Sequence, residues 1–130
     1  MILLDTHVVI WLALTPEKIS PAATAAIREV ESAGAISGIS VMTIYEVANA
    51  IRLGRIKPAL PHQVFLNRIR SRFKVFPVSD TIAQCAAELP APFHGDPMDR
   101  IITATAIVEG CTLITKDEKI RDANLCKVIW

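Results

Sequence analysis

Short apolar runs recur along this chain, and nearly every one gives way to a helix-start signal. Ile2-Leu3-Leu4 ends at Asp5, and His7 to Leu14 then reads as a helix that Pro16 closes. Ser20-Pro21 pairs an N-cap hydroxyl with proline at the first helical position, and the helix it opens runs to Gly34. Ala35 to Ser40 reads as a second strand, and Ser40 or Thr43 caps a helix that Gly54 ends. Leu60-Pro61 opens the next helix. Lys74 to Val78 is a third strand, followed by the Ser79-Asp80 cap and a helix over Ile82–Leu89. Pro90-Ala91-Pro92 reads as a loop, Asp96-Pro97 as a helix start and Gly110 as that helix's end. Cys111 to Thr115 and Cys126 to Ile129 supply two more strands, joined by an irregular or single-turn connection over Lys116–Ala123. Strand alternating with helix predicts an α/β fold around a mainly parallel sheet, and no linker divides residues 1–130 into more than one domain. In such sheets ligands sit outside the carboxyl ends of the strands.

Composition removes several function classes. The chain is 52% hydrophobic, too apolar for a disordered protein. The longest charge-free run, Ser32 to Tyr45, is fourteen residues and includes glycine, serine and threonine. A spanning helix needs about 20 predominantly apolar residues, so no membrane segment is expected. The start lacks the basic region of a signal peptide. Cys85, Cys111 and Cys126 show no CxxC spacing, which suits free thiols in a reducing cytoplasm.

Acidic residues stand where a parallel sheet would present ligands. Asp5 follows the first strand, Glu46 lies one turn into the helix after the second, Asp96 and Asp99 open a later helix, and Asp117 follows the fourth strand. Each has a purely structural reading as strand end, solvated helix face, N-cap, capping-box acid or turn former. Asp5 and Glu46, however, sit among apolar neighbours, where a lone carboxylate is penalised. Converging carboxylates repel unless protonated or bridged by a cation. An all-oxygen set suits Mg²⁺ or Mn²⁺ better than Zn²⁺, and His7, His62 and His94 lack zinc-ligand spacing.

Leu3-Leu4-Asp5-Thr6, the helix-borne Glu46, the stretch from His94-Gly95-Asp96-Pro97-Met98-Asp99-Arg100 to Ala106, and Leu113-Ile114-Thr115-Lys116-Asp117 together resemble the PIN-domain nucleases, most closely the VapC-type toxins of toxin–antitoxin pairs. The resemblance covers essentially the whole chain. It implies a PIN-like three-layer α/β/α sandwich and a Mg²⁺- or Mn²⁺-dependent endoribonuclease. The metal-binding and catalytic acids would be Asp5, Glu46, Asp99 and Asp117. Asp96 would be an additional acid, with Thr6 and Thr115 holding water or orienting carboxylates. It also implies a homodimer, an antitoxin partner, and operon DNA reached only through that antitoxin. Arg100 is expected to pair structurally within the site, and His94 to hydrogen-bond within its loop.

Fourteen Lys+Arg against thirteen Asp+Glu give a net charge of +1, but the charges are segregated. Positions 47–79 hold seven basic residues and no acid, leaving seven basic and thirteen acidic elsewhere, so +7 and −6 cancel. Arg52, Arg55, Lys57, Arg68, Arg70 and Arg72 read either as an RNA-contacting rim or as a solvated surface. Phe65, Phe73, Phe76 and Trp11 read first as core. Two other functions share parts of this pattern. A receiver-type phosphoacceptor domain would need paired acids after the first strand and an aspartate directly after the third; Asp5 stands alone and Asp80 does not fit. A non-catalytic PIN-fold module binding RNA or a partner would not require the acids.

Overall fold

The computed structural model describes residues 1–90, 93 and 95–130. The expected loop at Pro90-Ala91-Pro92 lies partly outside those residues, and the hydrogen bond assigned to His94 lies wholly outside them.

Each strand is two or three residues long because it pairs only where its neighbours overlap. The strands are β1 (Ile2–Leu4), β2 (Gly38–Ser40), β3 (Lys74–Phe76), β4 (Thr112–Ile114) and β5 (Val128–Ile129). All pairings are parallel, in the order β3-β2-β1-β4-β5. β2 therefore starts three residues later than the apolar run predicts, since β3 reaches it only from Gly38 onward. Gly38 also has a packing reason: a Cβ there would come within 2.5 Å of the Phe76 ring.

The helices are α1 (Thr6–Leu14), α2 (Pro21–Ser32), α3 (Val41–Arg52), α4 (His62–Arg72), α5 (Asp80–Glu88), α6 (Pro97–Val108) and α7 (Glu118–Ala123), with a 3₁₀ turn at Pro16–Lys18. The predicted hydroxyl caps are present: Ser20, Ser40 and Ser79 accept from Ala23, Met42 and Ile82 backbone N–H groups. Ser40 rather than Thr43 caps α3, which leaves the Thr43 hydroxyl inside the first turn. The segment read as irregular after Lys116 forms α7, because Asp117 Oδ1 accepts from the backbone of Lys119 and Ile120. Gly54 and Gly110 follow α3 and α6 with left-handed φ of 71° and 65°, the geometry their predicted roles require.

Side-chain alternation along the strands divides the interior in two. Ile2, Leu4, Ile39 and Ile114 face Val8 and Val9 of α1, Ala23 and Ile27 of α2, Val47 and Ile51 of α3, and Phe65 and Ile69 of α4. Leu3, Phe76 and Leu113 face the opposite core, with Ile102 and Ala106 of α6 and Ile120 of α7. α5 packs against α6 through Ile82, Ala86 and Ala104. The central strands are thus buried on both faces, which explains their unbroken apolar runs. The result is a three-layer α/β/α sandwich. From β1 the chain steps outward to β2 and β3, then returns across β1 to β4 and β5. With right-handed crossovers this reversal puts the two helix sets on opposite faces, and it opens a crevice between the carboxyl ends of β1 and β4.

Candidate functional site

Asp5 stands at that crevice. It is 3% exposed and caps α1, its Oδ1 accepting the Thr6 N–H at 2.7 Å. Its Oδ2 accepts the Thr115 hydroxyl, from the end of β4, at 2.6 Å, and lies 3.4 Å from His7 Nδ1. Capping explains the position of this acid, but one oxygen suffices for the cap; the other is held toward the crevice by a fully buried threonine 110 residues away. His7 Nε2 accepts the Lys116 N–H at 3.1 Å. A nitrogen that accepts carries no proton, so the neutral ring bears its proton on Nδ1, facing Asp5.

Glu46 comes in from α3. The Thr6 hydroxyl donates to its Oε1 at 2.6 Å and lies 3.2 Å from the Thr43 hydroxyl. Its carboxyl is nevertheless raised above the ordinary value. Burial is the main cause, the Thr6 hydrogen bond opposes it, and Asp5 and Asp96 add repulsion. α6 supplies the remaining pair. Asp96 caps that helix, its Oδ1 accepting from Met98 at 2.9 Å and more weakly from Asp99 at 3.5 Å. One turn in, half-buried Asp99 is pushed up to about 7 by burial, and the charges of Asp5, Asp96, Asp117 and Glu46 all act on it in the same direction.

Asp96, Asp99 and Asp117 line a cleft of about 680 Å³ together with His7, Trp11, Lys116, Glu118 and Lys119, and Asp5 adjoins it through its contact with His7. Among the described residues, no three His, Cys, Asp or Glu side chains form a ready-made metal cage. Mg²⁺ keeps several waters and needs only one or two direct carboxylate ligands, so the remaining acids would hold it through those waters. The donor set is all oxygen, and a half-buried carboxyl near neutrality is a group that a cation would ionise.

The basic residues 52–72 that stood as RNA candidates lie elsewhere. All six are exposed, and none lines this cleft. Arg52 and Arg70 hydrogen-bond Asn49 and Asn67, and Arg72 pairs with Glu31 at 3.1 Å. The cations in the cleft are Lys116 and Lys119, which charge density along the chain does not single out. The place of His7 in the cleft was not legible either, because its bond with the Lys116 backbone joins positions far apart in sequence.

Arg100 faces away from the crevice. Its guanidinium donates to the carbonyls of Ala86, Ala87 and Leu89 at 2.9, 3.3 and 3.0 Å, and to that of Phe93 at 3.4 Å. It satisfies the end of α5, where terminal carbonyls lack helix partners and the dipole favours a cation. Arg100→Met keeps the aliphatic stem and removes these bonds. It is expected to lower stability by about 2 kcal/mol, read as a fall of roughly 5–10 °C in Tm.

Comparison with known proteins speaks for the family and the fold. The family model described as PIN domain matches residues 2–124. Ribonuclease VapC22 of Mycobacterium tuberculosis (strain ATCC 25618 / H37Rv) is 33% identical over 120 residues, 92% of this chain and 89% of that protein. Among solved structures, VapBC2 from Rickettsia felis bound to a promoter DNA fragment matches with a TM-score of 0.75 at 18% identity, covering 99% of this chain and 98% of that one. A toxin–antitoxin complex from Klebsiella pneumoniae matches with a TM-score of 0.68 at 23% identity, covering 100% and 97%. At those identities the two structures speak for the fold.

Proposed function

The chain belongs to the PIN-domain family, and from that premise we propose that it is a divalent-cation-dependent endoribonuclease, the toxin of a toxin–antitoxin pair. The observation that carries the reading is the hydroxyl-clamped Asp5 at the β1/β4 crevice, with Asp99 raised to about 7 by burial and by the acids around it.

Asp5, Glu46, Asp99 and Asp117 would hold Mg²⁺ or Mn²⁺. When bound, the ion supplies compensation for charge building on the phosphoryl oxygens and a more acidic water. The chain's own groups set the geometry. Thr115 holds Asp5 Oδ2, and Thr6 holds Glu46 Oε1, so two carboxylates, one at the start of α1 and one on α3, keep fixed directions. Asp96 and Asp117 are fixed through their caps, each with Oδ1 bound to backbone N–H groups. Asp99 holds a proton at its carboxyl near neutrality, and its loss makes room for a cation.

The partner follows from the neighbours. Structures that match this fold are of toxin–antitoxin complexes, some with DNA. By that likeness we read an antitoxin as covering this chain and operon DNA as reached through the antitoxin; pairing of the toxin with a second copy of itself is part of the same proposal and rests on the family resemblance. Among the described residues no helix is long and apolar enough to cross a membrane, and a cytoplasmic site of action fits the free thiols.

The test uses the chain freed of any partner, with cellular RNA and Mg²⁺. Internal cleavage that stops on adding EDTA and returns with excess Mg²⁺ or Mn²⁺ is the expected result. RNA bound but uncut in Mg²⁺ and Mn²⁺ would instead favour a binding module.

A further inference from the structure

One wall of the cleft has a chemistry that cation binding does not use. Trp11 and His7 line the cleft along with Asp96, Asp99, Asp117 and Glu118, their ring centroids 4.8 Å apart and planes inclined at 59°. Trp130 backs them, 5.7 Å from Trp11 and 6.4 Å from His7. Trp11 is half-buried, so its packing against the core holds the ring while part of it faces the cleft. Lys116 Nζ lies 5.8 Å from the centroid of the Trp11 ring, and Lys119 is on the same rim.

We propose that this wall is a nucleobase-binding subsite, in which Trp11 stacks on one base of the RNA strand while Lys116 and Lys119 meet the flanking phosphates. The inference rests on the ribonuclease reading and extends it from the reacting phosphate to the neighbouring nucleotide.

Three observations favour a base over other occupants. The cleft, at about 680 Å³, is well within the range of sites for nucleotide-sized ligands. An aromatic face beside two exposed ammonium groups combines the two elements that bind single-stranded nucleic acid: a stacking platform and charge for the backbone. The third is linkage. His7 touches Trp11 with its ring, faces Asp5 through Nδ1 and accepts from the Lys116 backbone through Nε2. The stacking ring and the ammonium-bearing residue are therefore tied to the same acid that is clamped at the crevice. A base seated on Trp11 would fix which phosphate lies against Asp5, so this subsite would set the position of cutting. Stacking tolerates any base but favours large ones, so the preference would be for a purine there.

The experiment has two readouts. In the first, tryptophan emission is followed as a non-cleavable 2′-O-methyl oligoribonucleotide is added, and binding is followed separately by anisotropy of a labelled strand. The wild-type chain is expected to be quenched by the base-bearing strand and much less by an abasic strand of equal length. Trp11→Phe, which keeps an aromatic ring but leaves Trp130 as the sole tryptophan, should still bind while losing most of the quench. In the second, Trp11→Leu should raise KM for RNA about tenfold or more with a smaller change in kcat, and Trp11→Phe should restore most of the loss. Quenching of the wild type by the base-bearing strand without cleavage would support the subsite and overturn the nuclease reading. Equal quenching by the abasic strand, or wild-type KM in a folded Trp11→Leu chain, would overturn the subsite and leave the nuclease reading standing. Neither binding nor cleavage by the wild type would overturn both.

Discussion

Asp5→Asn is expected to abolish RNA cleavage, with a loss of about 10³-fold or more, while the protein stays folded. The two halves of that outcome have separate causes. Asparagine is as good an N-cap as aspartate, so the bond from Thr6 N–H to position 5 Oδ1 survives and α1 keeps its start. At the other end of the side chain the charge is lost. Oδ2 takes the Thr115 hydroxyl and faces His7 Nδ1, and an amide NH₂ there would set donor against donor at His7. A group that acts as part of a catalytic unit typically costs several powers of ten when removed. Thr115→Val is the control for orientation: it keeps the Asp5 carboxylate and removes its clamp, together with the bond the Thr115 hydroxyl accepts from the Asp117 N–H at 3.1 Å, so a loss of about 10–100-fold is expected. Rates on one RNA substrate, with circular dichroism to confirm the fold, check both. Asp5→Asn cleaving at the wild-type rate would remove Asp5 from the site, and equal losses in the two variants would mean that direction, not charge, is what Asp5 provides.

Three of the acids coincide with local signals: Asp5 and Asp117 follow expected strands and Asp96 opens an expected helix, and each caps a helix in the structure. Parallel strands then put all those boundaries on one edge. What local pattern could not supply was the strand order. The reversal between β1 and β4 is set by packing over the whole chain, and it is what brings Thr115 to Asp5 and Lys116 to His7. The lysines of the cleft were hidden for the same reason, and the dense basic segment drew attention to α3 and α4 instead. Arg100 shows a different limit. Adjacent residues on a helix point about 100° apart, so Asp99 turns to the crevice while its neighbour turns to the end of α5. Adjacency in sequence suggested a shared site, and helix geometry separates the two.

Asp99 also makes the stability of the cation-free chain depend on pH in a direction opposite to that of most carboxylates. Its folded carboxyl sits at about 7 against an ordinary 3.8. Below pH 4 the group is protonated in both folded and unfolded chains and has no effect. Between about 4 and 7 the folded chain keeps its proton and the unfolded chain has lost it, so each rise in pH favours unfolding. Above about 7 both are ionised and the loss is complete. Part of the site faces water, so the full shift overstates the cost; about 2 kcal/mol is expected. Tm measured in EDTA should therefore fall from pH 5 to pH 8. Asp99→Asn carries no charge to bury, and it should flatten that fall and exceed the wild type at pH 8, although it removes a catalytic acid and with it the cleavage. Mg²⁺ should raise the wild-type Tm more at pH 8 than at pH 5, because the ion competes with the proton for the same carboxyls. In Asp99→Asn the gain from Mg²⁺ should shrink. A wild-type Tm that rises from pH 5 to 8 in EDTA, with Asp99→Asn following it in parallel, would mean that burial and the neighbouring acids do not raise the Asp99 carboxyl in the folded chain. The raised carboxyl of Asp99 would then no longer support a cation at the crevice.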